Sequence, residues 1–195
     1  MSFIPPLWYE GMFILAGYHL GIPILIGLIA GIITKLFFKK KSIIGGVGTG
    51  IIVTVIAILI MMPVGTLLWH WNYEVPSVQT KIITVSEFQP APDVGYTNQG
   101  SMVISNADQI MIIDSEGNGY FNKESGWFAG FSKWDTRDIL NSLKINGTYK
   151  IKYYGWRNPR DSSFPNILSI EEVIDESNAT RPNYNDLFGV KLTGL

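Results

Sequence analysis

Hydrophobic and polar positions divide the chain into two unlike parts. From Gly11 to Thr34 no Asp, Glu, Lys or Arg interrupts the run GMFILAGYHLGIPILIGLIAGIIT, and from Ser42 to Tyr73 there is again none. A helix rises about 1.5 Å per residue, so roughly 20 residues cross a hydrocarbon layer about 30 Å thick, and both runs are long enough. Neither carries the polar face of a helix lying on a soluble core. The pattern predicts a two-helix transmembrane hairpin over residues 1–74, with spans at about 11–34 and 43–69. The first run reads as an anchor rather than a cleaved signal peptide, since no small-residue cleavage site comes after it.

Beyond residue 75 the pattern changes to short alternating runs that predict strands: Lys81–Phe88, Ser101–Ser105, Ile110–Asp114 and Tyr120–Asn122, the last returning after the turn SEGNG. WDTRDILNSLK predicts a helix, with Asp135 or Thr136 as cap, an apolar stripe of Ile139, Leu140 and Leu143, and Asn146-Gly147 to end it. Further strands are predicted at Thr148–Trp156 and Asn166–Ile174. Counting the short return Tyr120–Asn122 together with Ile110–Asp114, three strands, a helix and two strands make a small β-rich domain over 75–176. Either an OB-like five-stranded barrel or a small α+β sheet fits that order. Residues 177–195 mix Asn, Pro and Gly and read as a loosely held tail.

Charge orients the hairpin. Lys35, Lys39, Lys40 and Lys41 crowd the connection, whereas the outer flanks carry Glu10 and Glu74. Short basic loops stay on the cytoplasmic side, so the lysine loop is expected inside and both termini, with the β-rich domain, outside. Trp8, Tyr9, Trp69, Trp71 and Tyr73 fall where one outer headgroup layer would be. Within the spans, Gly17/Gly21, Gly27/Gly31 and Gly46/Gly50 form G-x-x-x-G pairs, which let helix backbones approach. They serve either the hairpin itself or a homo-oligomer. His19 has no acidic partner in either span and is expected to be neutral and hydrogen-bonded within the hairpin. Pro23 and Pro63 are expected to bend their helices.

Composition closes several chemistries. With no Cys, thiol catalysis, disulfides and thiolate metal sites are excluded. The two histidines, His19 and His70, both belong to the hairpin, so the outer domain lacks the parts of a Ser-His-Asp triad or the usual zinc sets. Nucleic acid is an unsuitable partner, because acidic residues outnumber basic ones after residue 75. The stretch DSEGNGYFNKES imitates a calcium loop at Asp114, Glu116, Asn118 and Gly119. It has Ser125 where the bidentate Glu should stand, and a β-turn accounts for its glycines as well. No cofactor is expected.

The densest motif is YYGWRNPRDSSFPNI, Tyr153–Ile167. Gly155 permits a bend, and Pro159 and Pro165 stiffen the loop beyond it. Trp156 could cover one end of a barrel, and Arg157 could stack on an aromatic or pair with Asp161. Two readings stand side by side: a structured crossover, or a ligand or partner loop made of Trp156, Arg157, Arg160, Asp161 and Phe164. The string YYGWRNP and then SSFPNI, through Tyr154, Gly155, Trp156, Arg157, Pro159, Ser163, Pro165 and Asn166, resembles the closing motif of a family of small membrane-anchored extracytoplasmic proteins of bacteria and their tailed phages. The resemblance implies one or two membrane helices before a compact β domain, and no assigned activity. A membrane-anchored binding or interaction protein, not an enzyme, is therefore expected. Its partners would be the lipid bilayer and a protein or envelope component. The alternatives are a phage-encoded superinfection-exclusion, envelope-disruption or virion membrane protein, and a cation-dependent hydrolase.

Overall fold

The computed structural model describes residues 3–37, 43–91, 93–96, 102–105, 109–158 and 163–182. The chain forms two compact units, residues 1–76 and 77–195.

The first unit is helical. α1 (Trp8–Ala16) runs through a π-helical turn, Gly17–Gly21, into α2 (Ile22–Phe37), and α3 (Ile43–Trp69) runs through a second π turn, His70–Glu74, into a 3-10 turn, Val75–Ser77. The two helical stretches, Trp8–Phe37 and Gly45–Ser77, are each long and apolar enough to cross a membrane. Each wide turn lies just before a proline. Pro23 and Pro76 lack the N–H that a regular helix would bring to the carbonyl four residues back. The chain instead bonds Ile22 N–H to the Gly17 carbonyl and Val75 N–H to the His70 carbonyl, five residues back. Pro63, expected to bend its helix, lies inside α3.

Glycines decide how the hairpin packs. A Cβ on Gly27 would stand 2.6 Å from the Gly50 carbonyl, and one on Gly31 would stand 2.8 Å from the Gly46 carbonyl. The reverse contacts, Gly46 to Gly31 and Gly50 to Gly27, would each be 3.0 Å. Two of the three G-x-x-x-G pairs thus face each other across the hairpin, and only hydrogen fits between the backbones. Gly17 meets nothing within 4 Å. His19 Nε2 donates to the Met62 carbonyl at 3.2 Å, over a gap that Gly65 leaves open, so the hydrogen bond expected within the hairpin is present.

The second unit holds β1 (Gln79–Pro90), β2 (Asp93–Tyr96), β3 (Met102–Ser105), β4 (Ile110–Asp114), β5 (Gly119–Phe121), α4 (Thr136–Ser142), β6 (Thr148–Tyr154) and β7 (Asn166–Asp175). Five strands form a mixed sheet in the order β1-β4-β5-β7-β6, and β6 also pairs with β1. All pairings are antiparallel except β5 with β7, which meet in parallel at Phe121 and Asn166. α4 comes after the third of these five strands in chain order. The core is Ile83, Val85, Phe88, Ile110, Ile112, Tyr120, Tyr149, Ile151 and Ile167, closed by Ile139 of α4 and Leu143 just after it. β1 reaches it by a bulge. The register shifts between Val85 and Glu87, and Ser86 donates to the carbonyls of Ile113 and Asp114 at 3.1 Å. The extra residue lets Phe88, three positions after Val85, turn inward too.

Four expectations change. The run at Ser101–Ser105 is no member of the sheet: β3 pairs with β2 alone as a two-stranded ribbon. β2 was not expected, because Asp and Gly in DVGY disfavour strands. The helix stops at Ser142, before Asn146-Gly147. Leu143 is already extended at its end, so that its side chain enters the core, and no side-chain cap bond forms at Asp135. Finally, the start of the supposed tail belongs to the domain. Thr180 exchanges backbone hydrogen bonds with Ile145 at 2.8 and 2.9 Å; Glu176, the last residue assigned to the domain, accepts a bond from Tyr149 Oη at 2.7 Å and pairs with Lys144.

Candidate functional site

The motif from Tyr153 to Ile167 is built as a clasp. Gly155 has φ +84°, a backbone few other residues adopt, and its N–H donates to Ser77 Oγ at 2.8 Å. Arg157 donates to the carbonyls of Asn158 and Ser163, both at 3.0 Å, while its guanidinium lies 4.0 Å from the centre of the Phe164 ring. Phe164 in turn meets Phe121 edge-on at 5.3 Å. Asn166 accepts from Lys123 N–H at 2.8 Å and donates to the Lys123 carbonyl at 3.0 Å, tying the start of β7 to the end of β5. Arg157 and Phe164 therefore come together and hold the crossover. Trp156 is half-buried. Arg160 and Asp161 lie outside the described residues.

The calcium-like stretch is the β4–β5 turn, organised around a cation the protein supplies. Asp114 is 2% exposed. Its carboxylate accepts from the N–H groups of Glu116 (3.0 Å) and Asn118 (2.8 Å), from Asn118 Nδ2 (2.9 Å) and from Lys81 Nζ (3.1 Å). Lys81 also donates to Glu116 at 2.7 Å. Burial pushes the Asp114 carboxyl up, but the Asn118 and Lys81 hydrogen bonds outweigh it and hold the group below its ordinary range. The Glu116 hydrogen bond, against burial, raises Lys81. Ser125, at the twelfth position, is buried and pairs by backbone with Lys133, away from this turn. Among the described residues no group of three or more His, Asp or Glu is gathered to hold a metal.

A second region was not singled out in the sequence: GWFAGFSKW, Gly126–Trp134, between β5 and α4. Ser125 and Lys133 exchange backbone bonds at 2.8 and 3.1 Å and close the loop. Inside it the chain turns tightly. Ala129 and Ser132 have φ of 53° and 52°, and a Cβ on Gly130 would stand 2.4 Å from the Gly126 carbonyl. These left-handed non-glycine residues carry backbone strain that the surrounding bonds must hold. Phe131 is the anchor, its ring 4.4 Å from that of Tyr154 and its N–H on Ser125 Oγ. The other aromatics point outward: Trp127 is 77%, Phe128 44% and Trp134 59% exposed.

Beside this loop lies an open groove of about 610 Å³, lined by Phe131, Lys133, Trp134, Asp138, Lys152 and Leu168 among others. Lys133 is its most unusual group. Only 5% exposed, it donates from Nζ to Asn122 Oδ1 at 2.6 Å and to the Lys123 carbonyl at 3.2 Å. Burial pushes its pKa down to about 8, against the pull of Asp135 and Glu124. Aromatic faces beside charges of both signs suit an extended ligand with apolar patches and polar groups, such as a peptide segment or a saccharide. The signal in the sequence was four aromatics and two glycines in nine residues that fit neither strand nor helix. Comparison with protein-family models, curated proteins and solved structures finds no match.

Proposed function

We propose that this chain is a membrane-anchored binding protein: the hairpin is a tether, and the β domain, held outside the cytoplasm as an OB-type barrel, binds a peptide segment or envelope polymer in its groove. The observation that carries this is the groove itself, where Phe131 and Trp134 stand beside Lys133, Lys152 and Asp138. The order of pairings, with α4 after the third strand, supports the OB-type reading. The lysine connection and the aromatic flanks support the orientation.

Two measurements test the reading. Single cysteines at Ser42 and Ser177, in a chain that has none, should differ in labelling by an impermeant maleimide on intact cells. Ser177 should label and Ser42 should not, and the reverse result overturns the orientation. A photo-crosslinker at Trp134 should trap one defined species in the native envelope, while the same group at Ser177 should not. Equal, diffuse products at both positions would remove the groove from the function.

A further inference from the structure

We infer that the tip of the aromatic loop, Trp127 and Phe128, is a membrane contact: it enters the headgroup layer of the bilayer that holds the hairpin and fixes the β domain against it. The inference rests on the anchoring proposed above. It starts from where the chain joins the domain. Ser77 accepts a hydrogen bond from Gly155 N–H, and Gln79 pairs with Tyr153, so the chain joins at the end of the sheet where β6 finishes. The aromatic loop is rooted at that same end. Lys123, just beyond β5, is held by Asn166, the register partner of Tyr154, and the loop's return is pinned by Phe131 on the Tyr154 ring.

The connection is short. From Tyr73, in the aromatic flank of the second span, to Ser77 the chain covers at most about 14 Å even fully extended. The end of the domain that carries the loop therefore cannot leave the bilayer surface by much more than that distance. Trp127 and Phe128 stand edge to face at 5.7 Å and are held out by a strained, closed backbone instead of folding onto the core. Indole and phenyl rings presented this way suit the headgroup layer, where the indole N–H meets water and lipid oxygens while the ring faces apolar carbon. Trp134 lines the groove and is left for the ligand.

The test uses the full chain in phosphatidylcholine vesicles. Phe128→Cys and, so that one lost ring cannot decide the outcome, Ala129→Cys are labelled separately with an environment-sensitive nitrobenzoxadiazole dye. Ser177→Cys, beyond β7 at the other end of the sheet, is the reference. Both loop probes should be blue-shifted and quenched several-fold more than the reference by nitroxides near the headgroup, and less by nitroxides deep in the acyl chains. Flotation after an alkaline wash reads the anchoring separately. Vesicle-integrated protein whose loop probes are as wet as the reference overturns the loop contact alone, and would mean that the tip waits for a protein. Protein that fails to float overturns the anchoring and this inference together.

Discussion

Lys133 Nζ donates to Asn122 Oδ1 at 2.6 Å, and Asn122 Nδ2 donates onward to the Thr136 carbonyl at 2.7 Å, so one buried amine ties the aromatic loop, the end of β5 and the start of α4. Burial lowers this amine to about 8, against about 10.4 for an unfolded lysine. Between those values the unfolded chain holds a proton that the folded one releases, so stability rises with pH through that window. The full chain in nanodiscs, melted at pH 7 and pH 9.5, should gain stability relative to Lys133→Met, whose profile lacks this rise. Tyr120, pushed up to about 12 by burial, works in the opposite direction only above about pH 10, beyond the pH 9.5 measurement. Parallel profiles for the two proteins would show that Lys133 does not titrate there.

Asp114→Asn should destabilise the β domain at pH 7 by about 1–3 kcal/mol, because the charge-assisted bonds from Lys81 and the turn N–H groups are weakened. The Asp114 carboxyl is held below its ordinary range, so its contribution is present above the unfolded value of about 3.9 and is lost as pH falls through the folded one. The difference between parent and variant should therefore shrink in urea titrations below about pH 4. A constant gap down to pH 2 would contradict the assignment.

Gly31→Ala should loosen the hairpin by about 1–3 kcal/mol, since a methyl group would stand 2.8 Å from a backbone carbonyl that cannot move aside alone. Gly17→Ala, in open space, is the control and should be neutral or nearly so. Thiol crosslinking between cysteines at Ile32 and Val47, or resistance to SDS, reads the change. Equal behaviour of the two variants would mean that α2 and α3 do not cross at these glycines.

Tyr149, with no exposed surface, and Trp156, half-buried, separate core from clasp. Tyr149→Ala should cost about 3–5 kcal/mol, the range for a fully buried aromatic. Trp156→Ala should cost about 1–2 kcal/mol, in proportion to the smaller area removed from water. Chemical denaturation of both would decide. Equal losses would restore Trp156 as the cover of the sheet's end.

Much was legible in the sequence, and the reason is local. An apolar run without charges has few ways to bury its backbone polar groups except as a helix, so Gly11–Thr34 and Ser42–Tyr73 alone dictate the hairpin. Alternation in IMIID and TYKIKYY likewise imposes strands with one face inward, and Ile112, Tyr149 and Ile151 are buried as that period requires. Pairings between distant residues were decided by the tertiary structure alone. No local pattern says that Gly27 and Gly31 will meet Gly50 and Gly46, that Lys81 will fill the turn at Asp114, or that MVIS will pair with DVGY outside the sheet. The aromatic loop is the sharpest case. Its rings were visible as letters, but whether they fold inward or stand in solvent depends on Tyr154 receiving Phe131 and on Ser125 meeting Lys133, contacts that exist only once the sheet has formed beneath them.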